Sequence, residues 1–151
     1  MGMIAQNSAD AVESPKVRRH EMRVMSESDI HIFLEYARVT PYYALFYLAL
    51  FTGMRRSELL ALRWCDVDLL LCQISVSRTL HQLHNRDIII RETKTDKSRR
   101  LIVLSRSTVS VMREHRQRQE TIKQSLGLNL TDANLIFSKY DGKPLLPDSV
   151  S

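Results

Sequence analysis

The chain switches between two hydrophobic periods, and the switches divide it into elements. Gln6 to Val24 is polar, contains Pro15 and has no apolar repeat, so residues 1–23 read as a linker or tail ahead of a domain spanning 24–151. Ser26 followed by Asp29 makes a capping-box pattern, and Ile30, Phe33, Leu34 and Ala37 then recur at helical spacing, which predicts an amphipathic first helix. Thr40 and Pro41 open a second. Tyr42 to Thr52 is apolar nearly all round, which puts this helix at the centre of the core, and Gly53 suits the left-handed residue that ends it. A third, short helix follows, with Leu59, Leu60, Leu62 and Trp64 as its apolar contacts. Asp66 and Asp68 read as turn and capping residues, since no third ligand type accompanies them to make a metal site.

From Gln73 the period becomes two. Ile74 and Val76 alternate with Ser75 and Ser77, and Ile88 to Ile90 and Leu101 to Leu104 form two further strand-like runs. These predict a small three-stranded antiparallel sheet, with Thr93 to Arg99 as a tight basic hairpin tip between the last two strands. From Ser107 a longer helix carries Val111, Met112, Ile122 and Leu126 on one stripe and ends at Gly127. His115 continues that stripe, so its predicted environment is partial burial. Leu135 to Phe137 reads as one more short strand, Asp141-Gly142 as a turn, and Pro147-Asp148-Ser149 as a helix cap. The expected fold class is α+β, mainly helical.

Composition narrows the function. A length of 151 residues suits one domain, and 44% hydrophobic with 26% charged residues describes a folded chain and excludes general disorder. Lys and Arg number 22 against 17 Asp and Glu, a net charge of +5 that favours a polyanionic partner. Much of the excess lies in two clusters: Lys16, Arg18 and Arg19, then Arg91, Lys94, Lys97, Arg99 and Arg100. Cys65 and Cys72 form no CxxC pair, and His81 and His84 have no Cys or acidic partners nearby, so neither a disulfide framework nor a metal site is expected. Met1 to Glu13 lacks the features of a signal peptide. The longest apolar run, Tyr42 to Phe51, falls well short of the roughly 20 residues that cross a bilayer, so no membrane association is expected and the cytoplasm of a cell lacking a nucleus is the anticipated location.

The sharpest chemical signal is Thr52 to Leu59, where an apolar helix stops at Gly53 and Arg55 stands at the mouth of the next helix. A helix start favours anions, and a guanidinium adds planar, two-pronged donation to phosphate oxygens. Glu58, three residues on, is placed to orient Arg55 or Arg56.

The string Thr52 to Leu62 with Arg63 to Asp68 resembles the first conserved box of the tyrosine recombinase, or phage integrase, family. Glu92-Thr93-Lys94-Thr95 with Arg99 to Leu104 resembles the segment that carries that family's active-site lysine. Pro15-Lys16 is similar to its interdomain linker, and Leu135-Ile136-Phe137 with Asp141-Gly142 to the stretch before its second box. The resemblance implies a DNA breaking-rejoining catalytic domain, of which 24–151 would be about the first two-thirds. It also implies cutting and rejoining of double-stranded DNA through a 3′-phosphotyrosyl link, with no metal or cofactor and with self-association into a tetrameric synapse. By the same resemblance Arg55 and Lys94 are catalytic and Glu58 supports them, while Arg56, Thr93, Lys97, Arg99 and Arg100 are expected to contact DNA.

The family's His-x-x-Arg box and nucleophilic tyrosine have no match here. His20 to Arg23 and His115 to Arg118 fit the pattern only as text, and none of Tyr36, Tyr42, Tyr43, Tyr47 and Tyr140 follows a second arginine box. The expectation is therefore a fragment inactive by itself, with a non-catalytic DNA-binding module, from a decayed or shortened integrase, as the alternative.

Overall fold

A computed structural model describes residues 22–83, 87–92 and 99–150. Helix α1 spans Glu27–Ala37, and Ser26 caps it by the expected box: the Asp29 N–H donates to the Ser26 hydroxyl at 3.2 Å, and the Ser26 N–H donates to the Asp29 carboxylate at 3.0 Å. Its half-buried face meets helix α2, Tyr43–Thr52, through an edge-on contact of Phe33 with Phe46. Gly53 ends α2 in the left-handed region (φ 63°), donating to the Ala49 carbonyl at 3.1 Å.

Only one side of α2 is central to the core. Ala44, Leu45 and Leu48 are buried, whereas Tyr43, Tyr47 and Phe51 form a tilted aromatic ladder along the other side, ending at an exposed Phe51. The all-round apolar pattern thus marks a two-sided helix whose second side is only partly covered among the described residues.

Helix α3, Arg56–Leu60, is a single short turn and a half, and it leads through buried Leu59, Leu60, Ala61 and Leu62 into a 3-10 turn at Trp64–Asp66. Asp66 and Asp68 play the local roles predicted for them. Asp66 accepts the Arg63 N–H at 3.0 Å, and one Asp68 oxygen accepts the N–H groups of Leu70 and Leu71. Asp66 also pairs at longer range, because its carboxylate receives both contacts of the Arg78 Nη2 donor, at 2.5 and 2.6 Å.

The strands are β1 (Val67–Asp68), β2 (Gln73–Val76), β3 (Arg78–Gln82), β4 (Ile88–Glu92) and β5 (Arg100–Val103). Their pairing corrects the expected sheet. The three-stranded sheet is antiparallel but has the order β1-β2-β5, while β3 and β4 form a separate two-stranded ladder. The strands β4 and β5 do not pair with each other. Both pair in succession with the run Gln73 to Gln82, whose even positions Ile74, Val76 and Leu80 are buried and hold it against the core. Val76 lies opposite Arg100 and Arg78 opposite Glu92, so Ser77 is the residue at which the run changes from one partner strand to the other. The hairpin connection is therefore 83–87, closed by Leu83 N–H to the Asp87 carbonyl at 2.8 Å. The supposed tip at Thr93 to Ser98 lies outside the described residues.

Helix α4 spans Arg106–Ser125 and is capped by Ser105, whose hydroxyl accepts the Thr108 N–H at 3.1 Å. Its inward face also departs from the predicted stripe. Met112 and Val109 are buried, but Ile122 and Leu126 are exposed. In their stead the polar residues His115, Gln119 and Lys123, spaced four apart, face inward. The His115 Nε2 meets the Ile136 carbonyl at 2.8 Å, Gln119 Nε2 donates to the Leu135 carbonyl at 3.0 Å, and Lys123 Nζ donates to Asn134 Oδ1 at 2.9 Å. This ladder fixes residues 134–136 beside residues 62–65, where Ile136 N–H donates to the Leu62 carbonyl and Trp64 N–H to the Asn134 carbonyl. The Leu135 to Phe137 run makes only an isolated bridge, with Arg63, rather than a strand. Burial holds the His115 imidazole below its ordinary pKa, partly opposed by its backbone hydrogen bond. Its ring packs between Trp64 and Phe137.

Leu60 joins α3 to this core and is fully buried. Leu60→Ala should cost about 2–5 kcal/mol of unfolding free energy, read as a lower urea midpoint of the 151-residue chain. A loss below about 1 kcal/mol would contradict the packing described.

Candidate nucleic-acid interface

The site is built around the connection between α2 and α3. Gly53 turns the chain, Met54 is buried, and Arg55 then adopts an extended backbone (φ −68°, ψ 146°) that points its side chain away from the core. That side chain is 80% exposed. Its root is fixed: the Arg55 N–H donates to Glu58 Oε2 at 2.9 Å, and its carbonyl accepts the first α3 hydrogen bonds from Glu58 and Leu59. Because α3 is so short and Glu58 takes the Arg55 N–H, the positive character of this corner comes from the guanidinium more than from the helix start.

Glu58 is the least exposed charged group of the site, with its side chain only 2% accessible. Its main partner is Arg100, at the start of β5. Arg100 Nη1 donates to Oε1 at 2.9 Å and Nη2 to Oε2 at 2.8 Å, a two-pronged pair. The Arg55 Nη1 is farther away, 3.6 Å from Oε1. The Arg100 hydrogen bonds hold the Glu58 carboxyl below its ordinary value, against the upward pull of burial and with help from the Arg55 N–H and both positive charges. The same pair raises the pKa of the Arg100 guanidinium.

The other predicted residues are spread around this corner. Arg56 Nη1 donates to the Pro147 carbonyl at 3.0 Å, tying α3 to the 3-10 turn Pro147–Val150. Arg99 pairs with Glu92 at 3.2 Å, in the open. Thr93, Lys94 and Lys97 lie outside the described residues, in the interval between Glu92 and Arg99. The Arg100–Glu58 pair anchors the C-terminal end of that interval next to Arg55. Sequence spacing could not reveal this pair, since 42 positions separate its members, nor the Arg78–Asp66 pair. Among the described residues, no group of three His, Cys, Asp or Glu side chains could hold a metal ion, and no helix is long and apolar enough to cross a membrane.

The sequence model of the phage integrase family matches residues 23–151. The chain belongs to that family. It is 30% identical to a tyrosine recombinase XerC-like protein of Caldanaerobacter subterraneus subsp. tengcongensis, over 83% of this chain and 35% of that protein. It is 24% identical to the ICEBs1 integrase of Bacillus subtilis, over 92% of this chain and 38% of that protein. The fold is similar to the Tn1549 transposon integrase solved in complex with transposon right end DNA (TM-score 0.72, 21% identity, 93% of this chain and 44% of that one). It is also similar to the XerA recombinase (TM-score 0.63, 21% identity, 88% and 41%). The chain therefore spans less than half the length of these relatives. Within this integrase-family chain, mixed helices and small antiparallel sheets are the shared architecture, and the Arg55 corner lies inside the matched region.

Because the folded-state pKa of Glu58 is lowered, its pair contributes stability that is fully present above the ordinary value of 4.5 and is lost as pH falls through the lower folded value. Glu58→Gln should cost about 2 kcal/mol at neutral pH, less than a fully buried pair because both arginines reach solvent. In urea titrations the gap between wild type and variant should narrow below pH 4.5. A gap that stays constant down to about pH 3 would dissociate Glu58 from this pairing.

Proposed function

We propose that this chain is the phosphate-binding front part of an integrase catalytic domain that cuts and rejoins double-stranded DNA. The observation that carries the reading is an arginine with a fixed root and an exposed head: Arg55 is held through its backbone by Glu58 while its guanidinium faces solvent. Family membership supplies the reaction in which such a group is used.

In that reaction a tyrosine oxygen attacks the DNA phosphorus, the bond to the 5′ oxygen breaks, and a 3′-phosphotyrosyl link forms. Negative charge rises on the non-bridging oxygens as the phosphorus becomes five-coordinate, and the Arg55 guanidinium stabilises it with donors already in place. The Lys94 ammonium gives its proton to the departing 5′ oxygen. Rejoining reverses these transfers, with no redox change and no cofactor. Glu58 supports Arg55. Arg56, Thr93, Lys97, Arg99 and Arg100 are the proposed DNA contacts, with the part played by Arg100 refined below. No tyrosine or second arginine box of these 151 residues is assigned a part in the reaction, and self-association into a tetrameric synapse on DNA, in the bacterial cytoplasm, belongs to the same proposal.

A non-catalytic module that binds phosphates through Lys94, Lys97, Arg99 and Arg100 is less well supported. It would bind through charge alone and gives no use to the fixed root and exposed head of Arg55.

Mixed with a suicide DNA substrate, the 151-residue chain should yield no covalent adduct; a stable adduct would place a working nucleophile within it. In a polypeptide joining these residues to a His-x-x-Arg box and a nucleophilic tyrosine, Arg55→Ala should abolish cleavage at little cost in DNA affinity. The loss expected is about 3–4 kcal/mol of barrier stabilisation, and wild-type cleavage by that variant would reject the assignment. Lys94→Ala should slow cleavage there, and a substrate with an activated 5′ leaving group should restore most of the rate. Absence of rescue would remove the proton-donor role.

A further inference from the structure

The basic residues around the site are not equivalent, and the hydrogen bonds of Glu58 show why. A carboxylate offers about four acceptor positions on its two oxygens. Arg100 occupies one on each, and the Arg55 N–H takes another on Oε2. The Arg55 guanidinium is left at 3.6 Å from Oε1, beyond hydrogen-bond length, and turned to solvent. Without Arg100 this buried carboxylate would keep, among the described residues, the Arg55 N–H as its hydrogen bond. The cation already within 4 Å of it is the Arg55 guanidinium, three residues away on the same turn and held by a flexible side chain. An unpaired buried carboxylate is costly, so Arg55 would close onto it and its donors would be consumed inside the protein.

We infer that Arg100 is a positioning residue for Arg55: it discharges Glu58, and so keeps the Arg55 guanidinium turned outward with its donors open to a DNA phosphate. The inference rests on the proposed role of Arg55 as a phosphate ligand. It withdraws Arg100 from the direct DNA contacts, although the Arg100 side chain is 39% exposed and a direct contact is the rival it must exclude.

The two roles differ in how they depend on Glu58. A discharging residue becomes dispensable once the carboxylate carries no charge; a phosphate ligand does not. The experiment uses the isotopically labelled 151-residue chain and a short duplex DNA at low salt, following the Arg55 Nε–Hε resonance by NMR and the affinity by fluorescence anisotropy. In the wild type the Arg55 signal should shift on adding duplex. In Arg100→Ala the shift should disappear, and Arg100→Lys should restore part of it. In the double variant Glu58→Gln with Arg100→Ala it should return in full, with affinity within about twofold of Glu58→Gln alone and an unchanged salt slope.

If Arg100→Ala fails to fold, Arg100→Lys and the comparison of Glu58→Gln with the double variant still decide, because neither leaves an unpaired buried charge. A tenfold loss of affinity on adding Arg100→Ala to Glu58→Gln, with a salt slope smaller by about 1, would make Arg100 a direct phosphate ligand and overturn the inference. So would an Arg55 shift that persists in Arg100→Ala. An Arg55 signal that does not respond to duplex in the wild type sinks the phosphate-ligand reading itself, which separates the two failures.

Discussion

A carboxylate taken out of water has to be met by positive charge and hydrogen-bond donors, and the Glu58 carboxylate imposes that requirement on the whole front of the molecule. Its partners come from two distant places: the N–H of Arg55 at the start of α3 and the guanidinium of Arg100 at the start of β5. Meeting both fixes the end of the sheet against the helical corner. It also fixes Arg100, the first residue of β5, beside the α3 corner. The geometry of Arg55 is therefore a consequence of how a buried charge is compensated.

The packing behind the site follows a related logic. Arg78 on β3 reaches Asp66 in the 3-10 turn, so the run Gln73 to Gln82 is tied to the chain just after α3 by a second ion pair. Farther back, α4 uses His115, Gln119 and Lys123 to satisfy the backbone and side chain of residues 134–136, which have no full strand partner. Trp64 sits where these systems meet. Its indole N–H donates to Gln119 Oε1 at 2.8 Å, its ring lies 5.1 Å from the Arg116 guanidinium, and it is almost completely buried. Polar ties thus carry much of the register, and the apolar residues fill the space between them.

The proposed function lies at the point where this rigidity stops. Arg55 has a fixed backbone and an exposed side chain, so in the proposed reading its root is set in advance while its guanidinium stays open to a phosphate. The chain belongs to the phage integrase family, and a net charge of +5 is compatible with the polyanionic partner of the proposed reading. The half-buried aromatic ladder of α2 is a different kind of surface. It shows that a helix can be apolar on two sides while only one is fully covered among the described residues.

Local hydrogen bonding was legible from the amino-acid order. The Ser26–Asp29 box, the left-handed Gly53, the turn roles of Asp66 and Asp68 and the placement of Arg55 at a helix mouth all depend on residues within a few positions of one another, where identity and spacing suffice. The periods of α1 and of the strand run were equally plain. What no local pattern contained was choice of partner at long range. The same alternating residues allow β4 and β5 to pair with each other or each with the earlier run, and only packing of Ile74, Val76 and Leu80 selects the second arrangement. The inward face of α4 escaped an apolar-stripe reading because the residues that bind the neighbouring backbone there are polar. Spacing offered Glu58 to Arg55 or Arg56, yet tertiary structure gave its two oxygens to Arg100, since a buried carboxylate is satisfied by whichever guanidinium can approach both oxygens in plane.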